Sequence, residues 1–303
     1  MVEILVFDTE TTDKPPIMPG STWNERQHNE KKLLDPNNID DTWPLIIDRW
    51  PSIIQLSYIL YDTEKPNDAK IFNKYIDIPD NIVISDGSIK IHHITRDTIR
   101  DAPSNNRSTI DEALNEFLHD IKNAHVIVGH NVHFDRKMVI SELLRLSKEK
   151  YLSQITDMMD YFKFECTMIK TTPLCQLKQK IEYKDKVTGE PKHFYKTKSP
   201  KLSEAYKHFF GYEPSGESLH DALVDVIVCL RVYLVYNGLP DCCGSNDIIT
   251  NYIIDFSPLD YKCPISDSDI KINMKGGKRR SNKSKRRNKK RQRKNKKTKR
   301  NKK

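Results

Sequence analysis

Residues 2–10 read Val-Glu-Ile-Leu-Val-Phe-Asp-Thr-Glu, an apolar run that ends in two acids. The run from Val2 to Phe7 is short and rich in β-branched residues, which predicts a strand buried on both faces. Asp8 and Glu10 follow at its carboxyl end, and side chains two residues apart on a strand point to the same face. Buried acids are costly without a compensating cation, and a divalent metal ion is a natural partner for such a pair. Taken alone, Asp-x-Glu is a weak signal, and a solvated strand end is favoured for any single instance.

Further candidate residues lie at the ends of later elements. His125 to Val128 has the pattern of another buried strand, and Asp135 falls in the first turns of the helix that follows it. The last helix is predicted to begin near Ser218, with His220 at its mouth and Asp225 between one and two turns further in. Ligands of open α/β sheets bind at the carboxyl ends of strands, so we expect these acids to converge there.

Four carboxylates with one histidine nearby are suited to two-metal hydrolysis of a phosphodiester. The carboxylates are Asp8, Glu10, Asp135 and Asp225, and hard oxygen ligands of this kind hold two Mg²⁺ ions about 4 Å apart. His220 can accept the proton of the attacking water, since the ordinary pKa of histidine is about 6.5. A Ser/His/Asp hydrolase is disfavoured because no nucleophile-elbow motif precedes the histidine.

Three motifs resemble those of the DnaQ-like, DEDDh branch of 3′→5′ exonucleases. They are Phe-Asp-Thr-Glu-Thr-Thr at 7–12, Gly-His-Asn-Val-His-Phe-Asp at 129–135 and His-Asp-Ala-Leu-Val-Asp at 220–225. Residues 91–95, Ile-His-His-Ile-Thr, are also similar to a family segment between the first two motifs. The resemblance covers about residues 1–236. The family includes the proofreading subunit of the bacterial replicative polymerase, ribonuclease T, oligoribonuclease and the TREX-type enzymes.

The resemblance implies a ribonuclease H-like α/β fold, in which a mixed five-stranded sheet with one antiparallel strand is flanked by helices. It implies Asp8, Glu10, Asp135 and Asp225 as ligands of two Mg²⁺ ions, with Mn²⁺ as a substitute, and His220 as general base. The implied reaction is hydrolysis of DNA or RNA from the 3′ end to release nucleoside monophosphates. The sister DEDDy branch has tyrosine four residues before the final acid, where this chain has Asp221.

The remaining polar residues of the motifs are predicted to contact substrate or to have structural roles, and not to take part in the chemistry. Thr9, Thr11, His92 and Asn131 are predicted to contact the substrate. Asp221 is favoured as a helix cap over a metal ligand. The histidines of the motif segments are favoured as structural or substrate-lining groups over catalytic ones. These histidines are His92, His93, His130 and His133. Asp13 replaces the glycine that is usual in the family, so the loop beside the site departs from the family pattern.

The net charge of +9 averages two unlike parts of the chain. Residues 275–303 contain 19 lysines and arginines and no acid, whereas residues 1–274 carry 32 basic against 42 acidic residues, a net charge of −10. The basic segment is low in complexity and is predicted to be a disordered tail. It is predicted to contact phosphates without sequence preference. Its clusters at 278–280 and 285–287 also match a nuclear-import signal, and the two roles are compatible.

The chain is predicted to comprise a DEDDh exonuclease domain at 1–236, an extension of unassigned structure at 237–274, and the tail at 275–303. The domain carries an insertion at about 13–50 that holds all three tryptophans, Trp23, Trp43 and Trp50. Anchoring of the insertion by these rings is favoured over stacking on a nucleobase. Residues 176–201 carry eight lysines and the pattern of a hairpin, which is either merely solvated or a track for nucleic acid.

The compartment and partners follow from composition. The six cysteines form no regular framework, which favours free thiols in an intracellular, cytoplasmic or nuclear setting. A zinc site at Cys242, Cys243 and Cys263 is a weaker alternative. The first residues do not resemble a signal peptide, and no run approaches the roughly 20 apolar residues of a membrane span. Nucleic acid is the expected partner, and a polymerase or another replication protein is a further candidate.

Two rival functions remain beside the exonuclease. One is a nucleic-acid-binding module that has kept the fold and lost the chemistry. The other is a scaffold that acts mainly through the basic tail. Loss of any of the five motif residues would favour the first rival, and all five are present. Cleavage of an oligonucleotide in Mg²⁺ distinguishes the enzyme from both rivals.

Overall fold

The structure, a computed structural model, describes residues 2–18, 20, 22, 24–26, 28–29, 47, 49–159, 163–186, 188–215 and 221–263. Most of the insertion, including Trp23 and Trp43, lies outside these residues, as do His220 and the basic tail. Trp50 is described and only 3% exposed, within the main core. For this tryptophan the anchoring interpretation is correct.

In the described part of the chain, eight strands form a six-stranded sheet and a separate hairpin. They are β1 (Glu3–Thr11), β2 (Ile53–Asp62), β3 (Lys70–Ile76), β4 (Arg107–Ser108), β5 (Val126–Gly129), β6 (Phe164–Cys166), β7 (Lys178–Lys184) and β8 (Pro191–Thr197). The order in the large sheet is β4-β3-β2-β1-β5-β6. Only β2 runs antiparallel to its neighbours, β1 and β3. The predicted mixed sheet with one antiparallel strand is therefore confirmed, and β4 adds a two-residue sixth strand at its edge.

Helices cover both faces of this sheet. In the described residues they are α1 (Asp86–His92), α2 (Arg96–Asp101), α3 (Ile110–Ile121), α4 (His133–Met159), α5 (Thr167–Cys175), α6 (Leu202–Phe210), α7 (Ala222–Tyr236) and α8 (Asp247–Asp255). Extended backbone at Ser147 interrupts α4, and a second helical segment then continues to Met159.

The alternating side chains of β1 enter two different cores. Leu5 and Phe7 pack with α3 and α4 on one face of the sheet. Ile4 and Val6 pack with α6, α7 and α8 on the other face. A strand covered on both sides has no polar face, which explains the continuous apolar run of the sequence. Asp8 and Glu10 continue the face that α7 covers.

One helix start differs from the sequence prediction. Helix α7 does not begin near Ser218, because Asp221 still has extended backbone angles of φ −92° and ψ 123°. The prediction placed the helix start too early, since several nearby polar residues can serve as an N-cap. Helix α3 is capped by Thr109, which exchanges hydrogen bonds with Glu112.

The segment after α7 contains a helix that the sequence did not predict. Asn246 caps α8 by accepting hydrogen bonds from the backbone N–H groups of Ile248 and Ile249. Ile249 and Ile253 are fully buried against the α7 side of the sheet. Nine residues offer too little periodicity to separate a helix from a loop.

The prediction that all the cysteines are free thiols does not hold for one pair. Cys243 and Cys263 form a disulfide across a Cα–Cα distance of 5.5 Å, whereas Cys242 is a buried free thiol. The prediction of six free thiols is therefore wrong for this pair, which folding brings together from 20 residues apart. The pairing also removes two of the three thiolates that the zinc alternative required, so that alternative is wrong. No helix in the described part of the chain is long and apolar enough for a membrane span.

A buried arginine fastens α7 to its surroundings. The Arg231 side chain is fully buried, and its Nε donates to Asp241 Oδ1 at 2.9 Å. Its terminal nitrogens donate to the hydroxyls of Tyr206 and Tyr261, and the guanidinium carbon lies 4.2 Å from the Phe210 ring centroid. These contacts link α7 to α6 and to the segment that follows α7. The charge is paired and hydrogen-bonded, as a buried arginine requires.

Replacing Arg231 with methionine should destabilise the protein strongly, because it leaves the Asp241 carboxylate buried without its cation. The expected loss in free energy of unfolding is about 3–5 kcal/mol, measured by chemical denaturation. The control is Arg100→Met, which breaks an exposed ion pair with Asp97 and should leave the free energy of unfolding nearly unchanged. Equal effects of the two substitutions would contradict a stabilising role for the buried pair.

Candidate active site

Strand β1 places two carboxylates on the face of the sheet that α7 covers. Asp8 and Glu10 are half-buried, and in the register of the sheet they lie opposite Ser57 and Gln55 of β2. Gln55 and Ser57 both hydrogen-bond Asn73 of β3, at 3.0 and 2.7 Å. The acids therefore sit at one end of a polar strip across three strands, and not on a solvated strand end.

Helix α7 brings the third carboxylate to this strip. Ligand oxygens of Asp8, Glu10 and Asp225 all lie within 4.8 Å of one another. The start of the helix is fixed by Asp221, whose Oδ1 accepts from Leu223 N at 2.9 Å. It is also tied to the sheet by Gln55, whose Oε1 accepts from the backbone N–H of Ala222 at 3.4 Å.

Asp135 reaches the same place from the first turn of α4. Its Oδ1 accepts hydrogen bonds from the backbone N–H and the hydroxyl of Thr9, at 3.1 and 2.8 Å. Glycine at 129 favours this approach, because a Cβ there would lie 3.0 Å from the Val132 side chain and 3.3 Å from the Phe7 carbonyl oxygen, closer than most Cβ contacts. The loop between β5 and α4 can therefore pack directly on β1.

The four carboxylates repel one another in partly desolvated surroundings. Burial raises the pKa of Glu10 to about 9, and the charges of Asp225, Asp135 and Asp221 act in the same direction. Burial, followed by the charge of Asp135, holds the pKa of Asp8 well above its usual range. Burial also raises the pKa of Asp135 to about 7, although its hydrogen bonds from Thr9 act in the opposite direction.

A divalent cation is the group that these residues fit. Among the described residues, no lysine, arginine or histidine nitrogen lies within ion-pairing distance of Asp8 or Glu10. The ligand atoms that converge are all carboxylate oxygens, which suit Mg²⁺ or Mn²⁺ better than zinc. A cation at this site would remove the repulsion that raises the carboxyl pKa values.

Comparison with known protein families agrees with this geometry. The family model RNase_T, described as exonuclease, matches residues 5–233 of the chain. The chain belongs to the RNase_T exonuclease family. The resemblance to DnaQ-like exonucleases of the ribonuclease H-like superfamily is thereby confirmed, and the chain is assigned to the nucleases. No protein with a curated description matches the chain by sequence.

Solved structures with similarity to the chain include several exonucleases. E. coli exonuclease I in complex with a dT13 oligonucleotide is 14% identical, with a TM-score of 0.47 over 79% of this chain and 42% of that chain. A 3′-exonuclease in 3′-end specific recognition of a histone mRNA stem-loop is 14% identical, with a TM-score of 0.42 and coverages of 78% and 83%. Cell-death related nuclease 4 (CRN-4) is 15% identical, with a TM-score of 0.41 and coverages of 78% and 64%. The chain thus spans less than half the length of exonuclease I.

Three of the four residues predicted to contact substrate are buried and make hydrogen bonds within the protein. Thr9 and Thr11 are buried, and their hydroxyls donate to Asp135 and to the Asp13 carbonyl. His92 is also buried; its Nδ1 accepts from Ile94 N, so the proton is on Nε2, which donates to the Thr11 carbonyl at 3.2 Å. These groups fix the end of β1 beside the acids.

Asn131 is the one exposed residue of the four that were predicted to contact substrate. It has a left-handed backbone, with φ +67°, and its carbonyl accepts from Phe134 N at 2.8 Å. It lies in the loop that leads from β5 to the helix carrying Asp135. Substrate contact through Asn131 stays a prediction.

The structure supports a structural role for His130 and a capping role for Asp221. His130 contacts Thr167 Oγ1 through Nδ1 at 2.9 Å and the Pro200 carbonyl through Nε2 at 3.0 Å, and burial lowers its pKa to about 4. A neutral ring that donates from Nε2 satisfies both contacts. Asp221 caps α7 as predicted, yet its charge also raises the pKa of Asp8 and Glu10. Its spacing of four residues from Asp225 places both acids on one helix face.

The polar strip formed by Gln55, Ser57 and Asn73 was not predicted from the sequence. Gln55 is 1% exposed and Ser57 is fully buried, although both stand in a strand of isoleucine and leucine. Alternating polar residues inside such a strand are the signal that identifies this strip. His220, the predicted general base, lies outside the described residues and directly precedes Asp221.

Divalent metal ions should stabilise the protein more at high pH than at low pH. Glu10 has a folded-state pKa of about 9 against an ordinary 4.5, so the stability associated with its proton is lost as pH rises from 4.5 towards 9. A bound cation offsets that loss. We expect Mg²⁺ or Mn²⁺ to raise the melting temperature clearly at pH 8 and little at pH 5.

Two variants sharpen this measurement. Asp225→Asn removes one repelling charge, so it should raise the melting temperature of the metal-free protein at pH 8 and reduce the response to metal. Asp13→Asn changes an exposed acid and should leave the metal response as in the wild type. An unchanged metal response in Asp225→Asn would place the ion elsewhere.

Proposed function

We propose that the chain is a divalent-metal-dependent 3′→5′ exonuclease that hydrolyses DNA or RNA and releases nucleoside monophosphates. The observation that carries the proposal is the convergence of the Asp8, Glu10 and Asp225 oxygens within 4.8 Å of one another in a chain of an exonuclease family. Asp135 joins this cluster electrostatically, since its charge raises the pKa of both Asp8 and Glu10. A bare cluster of acids would repel a phosphodiester, so metal ions are part of the proposal.

The carboxylates would hold two Mg²⁺ or Mn²⁺ ions, which neutralise charge on the scissile phosphate and stabilise the attacking and leaving oxygens. The protein supplies a rigid set of ligands for this purpose. Strand β1 is paired on both sides, with β2 and β5, and holds Asp8 and Glu10. Thr9 holds Asp135 by two hydrogen bonds. Ligands fixed before binding lose little conformational freedom when the ions and substrate arrive.

His220 is the proposed general base. The proposal rests on its position in the sequence, where it directly precedes Asp221 and the start of α7. An imidazole near the acids can take the proton of the attacking water only when it is neutral. The proposal therefore requires a histidine side chain that titrates below the working pH.

Substitution of one metal ligand tests the enzyme against a binding module without chemistry. Asp8→Asn should abolish cleavage of an oligonucleotide in Mg²⁺ and leave the fold intact, because the variant removes charge repulsion without removing volume. Asp13→Asn, an exposed acid, serves as control and should cleave like the wild type. The same assay with 5′-labelled and 3′-labelled single-stranded DNA, duplex DNA and RNA gives direction and substrate. Full activity of the wild type in excess EDTA would refute the metal-dependent mechanism.

Replacement of His220, the proposed general base, should slow the chemical step. His220→Ala is expected to lose roughly 10²–10⁴-fold in turnover, and the wild-type rate should rise with pH through about 6.5 and level off above it. His119→Ala, an exposed histidine of α3, is the control and should stay within about threefold of the wild type. A rate for His220→Ala close to that of the control would remove His220 from the mechanism.

A further inference from the structure

The hairpin of β7 and β8 stands apart from the packed body of the protein. All the residues of its two strands are exposed except Ile181, which is half-buried. Two of its exposed apolar residues are Tyr183 and Phe194, at 47% and 50% exposure. A two-stranded sheet without a buried face has no packing reason to carry such rings, and exposed apolar groups of this kind often mark a binding surface.

The register of the hairpin separates its side chains into two unlike faces. One face, called here the aromatic face, consists of Gln179, Ile181, Tyr183, Lys192, Phe194 and Lys196. The other consists of Lys178, Lys180, Glu182, Lys184, Pro191, His193, Tyr195 and Thr197. The second face contains an acid, Glu182, in an ion pair with Lys180 at 2.6 Å. The aromatic face contains only lysines as charged groups.

On the aromatic face, ring surfaces and positive charge lie side by side. The rings of Tyr183 and Phe194 are 6.0 Å apart, and Phe194 is flanked along β8 by Lys192 and Lys196. Lys192 pairs with Asp185 at the turn. No carboxylate of the described residues lies within ion-pairing distance of Lys196. This lysine is therefore available to an anion from outside the chain.

The base of the hairpin contacts the end of the sheet at which the acids lie. The Pro200 carbonyl, just after β8, accepts from His130, which follows the carboxyl end of β5 and precedes Asp135 by five residues. A groove of about 580 Å³ opens at the hairpin base beside α5, with Thr172, Gln176, Thr197 and Ser199 among its lining residues. Strands of seven residues extend about 23 Å.

The charge of the hairpin is opposite to that of the rest of the domain. Residues 178–197 contain six lysines and three acids, whereas the remainder of residues 1–274 contains 26 basic and 39 acidic residues. A polyanion near the body would be repelled except at bound metal ions, and the hairpin offers it a favourable contact. Charge complementarity thus favours nucleic acid as the occupant of the aromatic face.

We propose that the aromatic face of the hairpin binds a single-stranded segment of the nucleic acid, with bases stacked on Tyr183 and Phe194 and phosphates near Lys196. The proposal rests on the proposed nuclease function and names the substrate contact that lies outside the acid cluster. Aromatic rings bind unpaired bases regardless of sequence, because every base has a ring face to stack. Bases within a duplex present no such face, so a single strand is the occupant.

Binding without cleavage tests this contact directly. The probe is fluorescein-labelled oligo(dT) of about 20 nucleotides, which exceeds a typical site size for a single-strand-binding fold, and a parallel probe is oligo(U) of equal length. Anisotropy is measured on the full chain in EDTA, at high salt to weaken purely ionic contacts. The Tyr183→Ala, Phe194→Ala double variant should bind at least about tenfold more weakly than the wild type. The matched control, Tyr195→Ala on the opposite face, should bind within about twofold of the wild type.

Parallel measurements separate loss of this contact from unfolding and from a change of oligomeric state. Equal melting temperatures of variants and wild type show that the fold is intact, as expected for exposed side chains. Equal binding by the double variant and the control would overturn the proposal. A change of oligomeric state in the double variant alone would also overturn it, because the aromatic face would then be a contact between copies of the chain. Cleavage in Mg²⁺ is assayed separately. A wild type that binds through this face and cleaves nothing would refute the nuclease function and leave the hairpin contact in place.

Discussion

Mutual repulsion among the four carboxylates is the constraint on which the arrangement of this protein depends. Asp8, Glu10, Asp135 and Asp225 come from β1, α4 and α7, and all lie in partly or wholly buried surroundings. Burial and mutual charge raise the carboxyl pKa values of Asp8 and Glu10. A fold built for stability alone would separate these groups or pair them with arginine and lysine. Their persistence together is the physical reason for assigning a cation to the site.

The rest of the fold holds the acids in place against that repulsion. Gln55 ties the start of α7 to β2, and Arg231 ties the same helix to α6 and to the segment behind it. On the other face of the sheet, Glu142 accepts from Ile53 N at 2.9 Å and pairs with Arg145 at 2.6 Å. Arg145 also donates to the Trp50 carbonyl, at the point where the chain enters β2. These polar contacts fix the elements that carry the acids.

Charge is distributed unevenly along the chain. The folded body is acidic and carries the candidate metal ligands, whereas the hairpin and residues 275–303 each carry a net positive charge. A polyanion is repelled by an acidic surface and attracted by a cationic one. The RNase_T family match ends at residue 233, so the basic segment lies beyond the shared domain. The hairpin, in contrast, lies within it.

The sequence by itself determined the fold class, the three motifs and several elements, because these depend on local patterns. The continuous apolar run before Asp8 identified a strand covered on both faces, and the apolar run at 125–128 identified the strand that precedes Asp135. Only the tertiary structure decided which residues meet across the sheet. The opposition of Gln55 to Glu10 and the disulfide of Cys243 with Cys263 join residues that are distant along the chain. Such contacts are set by strand register and by packing of the whole core, neither of which leaves a mark in any short stretch of sequence.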